Sequence, residues 1–529
     1  MPESYDAIII GGGHNGLVCA AYLGRAGCKV LVLERREVLG GCCVTEEIWP
    51  GYKVSPAAYV NSLLRPEIIR DLDLKKHGFA MLPRNPSSFT PFPDGRYLMM
   101  GPDREATQKE IAKFSHKDAE AYPQYEAMLE KVAAFLEPLL VETPPDPWGS
   151  FRDLTKLARL GWKFRKLGRK VGVEAIEILS GAARPILDRW FESDELKATI
   201  ATDAVIGAFA APSMPGTAYV LFHHVMGECD GAKGVWGYVR GGMGTISNSI
   251  AAAARAVGVE IRTEAEVGRI LIKEGRATGV ALRDGTEFHA KRVISNADAN
   301  VTFLKLTDPK ELPDDFRQAV KNIDYSSATV KINVCVSEPP QFKALPGTGV
   351  GPQHHGTMHI CPSPDYIERA YDEAKYGRPS ENPMLECTMA TALDNTLAPA
   401  GKHIISMFIQ YAPYHLKGTT WELEMDKFAD RCFDILNEYA PNFKNSVIDR
   451  MVIPPPEMER LWGITGGNIM QGSMGLASMF SLRPVAGFAN YKSPIKGLYM
   501  CGAATHPGGG VMGACGWNAA RAILKDKIR

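Results

Sequence analysis

The sequence predicts an α/β chain, α+β overall. A parallel-sheet unit is assembled from discontinuous segments, and a second domain, built on a mixed or antiparallel sheet plus helices, is interleaved with it. Three observations predict this. Ala7-Ile8-Ile9-Ile10 is a short apolar run that passes directly into glycine-rich sequence and then a helical pattern. Residues 259–295 read as a strand, a meander of short strands and a strand again. Leu498-Tyr499-Met500-Cys501-Gly502 is another buried-type strand ending on glycine, far from the first in sequence. With 529 residues the chain is too long for one ordinary domain.

The N-terminal elements follow in order. Asp6 to Ile10 reads as a fully buried parallel strand. Gly11-Gly12-Gly13-His14-Asn15-Gly16 comes next and matches GxGxxG at Gly11, Gly13 and Gly16. Leu17 to Ala26 reads as a helix with Gly27 as its stop. Lys29 to Leu33 is a second apolar strand, closed by Glu34, 18 residues after Gly16. This is the Rossmann arrangement, and each part has a mechanical reason. Gly11 permits the tight turn, Gly13 the approach of backbone to a pyrophosphate, and Gly16 the close packing of helix on strand. The helix N-terminus offers free N–H groups to phosphate. Glu34 can accept hydrogen bonds from a ribose and argues for a free 2′-hydroxyl. The fingerprint alone does not separate FAD from NAD. Gly40-Gly41, six residues after Glu34, is a spacing familiar from flavoproteins.

Further along, Gly241-Gly242-Met243-Gly244 opens an alanine-rich helix, Thr245 to Val257. Val259 to Arg262 is a strand. Arg269 to Ile272 and Ala277 to Leu282 pair through a turn at Gly275, and Asp284-Gly285 makes a second turn. Lys291 to Ser295 is the last strand of this block and ends at Asn296. After Gly502, the loop His506-Pro507-Gly508-Gly509-Gly510-Val511-Met512-Gly513 leads into a helix, Ala514 to Lys525. Gly508, Gly510 and Gly513 match GxGxxG formally, but no βαβ unit follows them. One complete dinucleotide site is therefore expected. Leu498 to Gly502 is expected as a parallel strand adjacent to the first, so that the glycine loop faces the same crevice.

Sixty basic residues balance sixty acidic ones, so nothing points to a nucleic-acid partner, and none is expected. The opening Met-Pro-Glu-Ser-Tyr-Asp lacks the basic and apolar regions of a signal peptide, and no run of about 18 uncharged apolar residues offers a membrane span. A cytoplasmic setting is expected. The eleven cysteines are scattered without a CxxC pair and read as small buried residues. No metal site is expected.

Together these blocks resemble the FAD-dependent phytoene desaturase and carotenoid isomerase group, within the amine-oxidase-like flavoprotein superfamily. The most specific match is the strand-glycine Leu498–Gly502 followed by His506-Pro507-Gly508. Ser481-Leu482-Arg483-Pro484 and the His506 loop resemble, more narrowly, the pyridine nucleotide-disulfide oxidoreductase domain-containing protein 2 subgroup. The resemblance runs nearly end to end. It implies non-covalent FAD, with Gly11, Gly13, Asn15, Gly16, Glu34, Arg35, Gly40 and Gly41 along its ADP half, joined by Cys42 and Asn296. It places the backbone of Val267 at the adenine, and Gly502, Gly510, Val511 and Gly513 near the ribityl chain and flavin. Cys42 stands where many amine oxidases have arginine. The subgroup's name suggests disulfide reduction, which the absence of a dithiol motif argues against.

The FAD-binding unit is expected at 1–67, 231–299 and 456–529, and a substrate-binding or cap region at 68–230 and 300–455. Within the cap, Ser327 to Val336 and His403 to Tyr411 read as extended and Glu422 to Tyr439 as a helix, suggesting a sheet over the flavin. Flavin oxidations need few protein acids or bases, and the catalytic candidates are His506, Tyr59 and Arg483. The expected reaction is desaturation or isomerisation of an apolar, polyene- or isoprenoid-like or lipid substrate, with hydride passing to flavin N5 and oxygen or a quinone as acceptor. Amine oxidation is the alternative, and an FAD-binding structural role with little turnover is a further one. Residues 151–172 place Arg152, Lys156, Arg159, Lys163, Lys166 and Lys170 at helical spacing. They suit peripheral contact with an anionic membrane surface, or else simply form a solvated face.

Overall fold

The computed structural model describes residues 4–229 and 231–526. Its organising element is a five-stranded parallel sheet. Across it run Glu260–Arg262, Val30–Leu33, Ala7–Ile10, Val293–Ser295 and Leu498–Met500. These runs are apolar at nearly every position because both faces of the sheet are covered. Ala7, Ile9, Val30 and Val32 pack on one side with the helices His14–Arg25, Gly244–Ala256 and Ala514–Lys525. Ile8, Ile10, Leu31 and Leu33 pack on the other with the antiparallel strands Val267–Lys273, Arg276–Leu282 and Glu287–Ala290. The period-two alternation of a strand thus sorts one apolar run between two layers.

Two expectations change. Leu498–Met500 is parallel, as expected, but it is not adjacent to the first strand: Val293–Ser295 lies between them. Val293, Ile294 and Ser295 are all fully buried and take the interior position, leaving the C-terminal strand at the edge. The first helix begins at His14 rather than Leu17, so Gly16 sits inside its first turn. A Cβ there would lie 2.4 Å from the Gly11 carbonyl oxygen, which is why the helix can start so close to the strand end.

A second, seven-stranded sheet runs Val447–Ile453, Thr329–Val336, His403–Gln410, Met384–Thr388, Thr357–Ile360, Ser88–Pro91 and Tyr97–Met100. It is mixed, with one parallel pairing between Thr357–Ile360 and Ser88–Pro91. Val330, Ile332 and Val334 pack beneath the helix Trp421–Tyr439. Alternation turns Lys331 and Asn333 to the opposite face. Helices between His116 and Val225 form a third packed body against this sheet. A short ladder pairs Met81–Pro83 with Gly237–Val239 and ties the segments around residues 68 and 231 to each other. Among the described residues no helix is long and apolar enough to cross a membrane.

Candidate functional site

At the carboxyl ends of the parallel strands lies a cavity of about 580 Å³, where ligands of open α/β sheets bind. Gly11, Gly13, Asn15 and Glu34 line it, as do Arg35, Gly40, Gly41 and Cys42. Val267, Asn296, Gly510 and Val511 complete the predicted residues found there. Gly16, Gly502 and Gly513 do not line it. Gly502 serves close packing, since a Cβ on it would lie 2.4 Å from the Asn296 carbonyl oxygen, and Gly513 caps the start of the last helix.

Part of the wall presents fixed polar groups to an occupant. Glu34 is buried, and its Oε2 accepts from the Gly12 N–H at 2.8 Å while Oε1 accepts from the Arg36 N–H at 2.9 Å. Both oxygens are held in place with lone pairs to spare for further donors. The Gly40 N–H donates to the Gly12 carbonyl at 2.9 Å, stitching two loops together. Gly40 has φ of +121°, and a Cβ would fall 2.2 Å from the Cys43 carbonyl oxygen, so no side chain fits there. Three buried atoms of lining residues have no protein partner: His14 Nε2, Arg36 Nη1 and Trp462 Nε1. Buried polar atoms are normally satisfied, and a ligand rich in phosphate and hydroxyl groups would satisfy these. Arg35 is exposed and donates to the carbonyls of Arg460 and Leu461 at 3.0 and 2.7 Å, capping the helix Pro455–Trp462. Burial pushes the Cys42 thiol up to about 12, so it is protonated and not a reactive thiolate. All eleven cysteines are free thiols.

Residues 16–409 match the family described as flavin containing amine oxidoreductase. The chain belongs to that family. It is 45% identical, over 99% of its own length and 94% of the relative, to pyridine nucleotide-disulfide oxidoreductase domain-containing protein 2 of Mus musculus. It is 27% identical to a subunit of the limonene dehydrogenase of Castellaniella defragrans, covering 98% of this chain and 94% of that one. It is 26% identical to the lycopene-forming phytoene desaturase of Pseudescherichia vulneris, covering 98% of each. Among solved structures, an oxidoreductase from Methanosarcina mazei superposes with a TM-score of 0.60 at 18% identity, over 99% of this chain and 100% of that one. A triple mutant of putrescine oxidase gives 0.60 at 16%, over 98% and 99%, which shows the shared fold.

This flavin-dependent oxidoreductase uses FAD, and the cavity fits it. The glycine-walled crevice, the positioned Glu34 carboxylate and the partnerless His14, Arg36 and Trp462 atoms suit the dinucleotide half. Lys331 and Phe408, register partners on neighbouring strands of the second sheet, reach the same cavity from above.

The three catalytic candidates fall in different places. Tyr59 lines the cavity. His506 and Arg483 do not. His506 Nε2 donates to the Leu139 carbonyl at 2.8 Å, and burial pushes its imidazole down to about 4. Arg483 is buried among backbone carbonyls, donating to Met470 at 2.6 Å, Ala503 at 2.8 Å and Ser473 at 3.0 Å. Both hold loops behind the cavity wall.

A second cavity of about 670 Å³ adjoins the first, and Ala58, Tyr59, Ile206, Met470, Gly510 and Val511 line both. Around Tyr59 lie residues that sequence reasoning missed, Lys331 on the first cavity and Glu386 and Asp203 on the second. Tyr59 Oη donates to Glu386 Oε1 at 2.6 Å. Lys331 Nζ sits 4.0 Å over the Tyr59 ring and donates to Ser406 Oγ at 2.6 Å. Burial pushes the Lys331 ammonium down to about 7, against the pull of Glu386. Burial raises the Glu386 carboxyl, and Asp203 faces the same cavity. The sequence held one signal: Thr329–Val336 is an apolar strand interrupted by a lysine, and a cation in a buried strand calls for a reason.

Proposed function

We propose that the protein oxidises an apolar, isoprenoid-like or lipid substrate by desaturation. Two hydrogens leave adjacent carbons to form a C=C bond, one as hydride to the flavin and one as a proton. The observation that carries this reading is the second cavity, which meets the FAD cavity along a wall of apolar side chains, Ile206, Met470 and Val511. Leu129 and Leu221 extend that wall inward. Relatives named as a limonene dehydrogenase and a phytoene desaturase support it. Bound FAD supplies the two-electron acceptor. The chain's own groups orient the C–H bond, exclude water and take up the proton. Tyr59, Lys331 and Glu386 cluster where the cavities join, and burial brings the Lys331 ammonium down to about 7. Oxygen or a quinone would be the final electron acceptor.

Oxidation of an amine is the second reading. Glu126, Glu130, Glu137, Asp203 and Glu386 put five carboxyl groups on the inner cavity, and carboxylates suit an ammonium group. Anaerobic mixing with isoprenoid hydrocarbons and alcohols on one side, and with aliphatic amines on the other, separates the two. Bleaching of the flavin band by isoprenoids alone is expected. Bleaching by amines alone transfers the assignment to the second reading. Bleaching by neither removes both and leaves an FAD-binding protein with little turnover.

A further inference from the structure

Six large apolar side chains left exposed by the fold fall between positions 148 and 176: Trp148, Phe151, Leu154, Trp162, Val173 and Ile176. Phe151 is 82% exposed and Trp162 58%. The helix Phe151–Lys166 has no buried residue at all. Phe151 and Trp162 are about three turns apart and project from the same side. Phe164, on the opposite side, packs edge-on against Phe135 of the helix His116–Leu140 at 5.7 Å. The largest side chains of this helix therefore point away from the protein, the reverse of an ordinary surface helix. In the next helix, Gly168–Ser180, Ala175 and Ile178 are buried while Val173 and Ile176 turn outward.

The charge around these side chains is one-sided. Between Arg152 and Lys170 there are eight lysines and arginines and a single acid, Asp153, in a chain of zero net charge. The acid is engaged in capping the helix, accepting from Ser150 Oγ at 2.7 Å. Lys166 Nζ lies 3.6 Å over the Trp162 ring, with cation and aromatic on one face.

We propose that this helix pair docks the protein on an anionic phospholipid bilayer. Phe151, Leu154 and Trp162 enter the boundary between headgroups and acyl chains, and the flanking lysines and arginines meet lipid phosphates. A second copy of this chain is a poor occupant, because a two-fold contact through this face would set eight cations against eight. Nucleic acid leaves Leu154, Val173 and Ile176 without a role. The proposal stands apart from the choice of substrate.

The test uses the FAD-loaded protein and sedimentation with two vesicle types, phosphatidylcholine alone and phosphatidylcholine with phosphatidylglycerol. At least about tenfold more protein is expected on the anionic vesicles, with the tryptophan emission shifting to the blue and salt weakening the association. Phe151→Ser with Trp162→Ser is expected to lower binding about tenfold or more, with flavin absorbance per protein unchanged because both positions are exposed. Arg159→Glu with Lys163→Glu is expected to abolish the preference for anionic lipid. Equal binding of the Phe151→Ser/Trp162→Ser protein, or no sedimentation with either vesicle, overturns the proposal. A concentration-dependent dimer that the same double substitution dissolves without lipid also overturns it and assigns the face to self-association.

Discussion

The imidazole of His506 donates from Nε2 to the carbonyl of Leu139 at 2.8 Å, joining the C-terminal glycine loop to the end of the long helix His116–Leu140. Its neighbours do the same: Asn518 Nδ2 donates to the Leu140 carbonyl at 2.9 Å and Arg521 Nη1 to the Val141 carbonyl at 3.0 Å. The last carbonyls of a helix have no partner within it. Here the segment that follows the edge strand of the parallel sheet supplies three.

His506→Ala is therefore expected to lower stability by about 1–3 kcal/mol, the cost of leaving a buried acceptor unpaired. The flavin content of the folded protein should stay as it is, because His506 does not line the FAD cavity. Burial holds the His506 imidazole at about 4, against the ordinary 6.5. Between those values the unfolded chain binds a proton that the folded chain refuses, so stability falls as pH drops through that window. His14, at about 4, and His223, at about 3, act in the same direction. Urea unfolding at neutral and mildly acid pH checks both points. A His506→Ala protein as stable as wild type, or one that loses its flavin, sinks this account.

Much of the dinucleotide crevice was legible because its signal is local. Strand, glycine turn, helix, strand and acid lie within residues 7–34, and the residue types follow from backbone geometry. The rest was not legible for an equally physical reason. His506 follows a strand-glycine just as a residue near the flavin would, and nothing in the sequence says that its ring faces Leu139. Arg483, read as a catalytic candidate, proves to be surrounded by carbonyls of its own loops. The Tyr59–Glu386 contact joins a loop residue to a strand residue 327 positions away, and nothing local in the sequence announces it. The edge position of Leu498–Met500 depended on which of two apolar runs is more deeply covered, and their sequences do not rank them.

Glu34→Ala removes the acceptor of two backbone N–H groups as well as the expected partner of the ribose. Charge-assisted hydrogen bonds contribute about 1.5–3 kcal/mol, so FAD is expected to bind roughly 10- to 100-fold more weakly. The apoprotein should also melt lower, since the Gly12 and Arg36 donors lose their partner. Fluorescence titration of apoprotein with FAD measures the first and calorimetry the second. Wild-type affinity in the variant would show that Glu34 only organises the loop.

Arg483→Lys separates charge from shape. The guanidinium spreads its donors over the carbonyls of Met470, Ser473 and Ala503. An ammonium keeps the charge but cannot reproduce the planar fork. At least two buried carbonyls lose their donor, and a loss of about 2–5 kcal/mol follows. Met470 lines both cavities, so the flavin spectrum of the variant should shift as this wall loosens. Unchanged unfolding and an unchanged spectrum together would mean that water replaces the fork without penalty.

Lys331 gives the most specific pH signature. Burial brings its ammonium from the ordinary 10.5 down to about 7. Within that window the unfolded chain keeps a proton that the folded chain sheds, so the unfolded state binds more protons and stability rises with pH. Below the window both states are protonated, and the folded protein bears the cost of a buried ammonium that Ser406, the Tyr59 ring and the charge of Glu386 offset only in part. Lys331→Met keeps the length of the side chain and removes the charge. The wild type is expected to gain about 2–4 kcal/mol relative to the Met variant across the window, read as the difference between their urea-unfolding curves at its two ends. The same substitution tests the site. If Lys331 exchanges the proton released by substrate, the rate of anaerobic flavin reduction rises with pH around 7 in the wild type and is flat in the variant. Parallel stability curves would show that Lys331 is solvated in the folded protein. A difference in stability with identical rate profiles would confine it to holding Tyr59 and Ser406 in place.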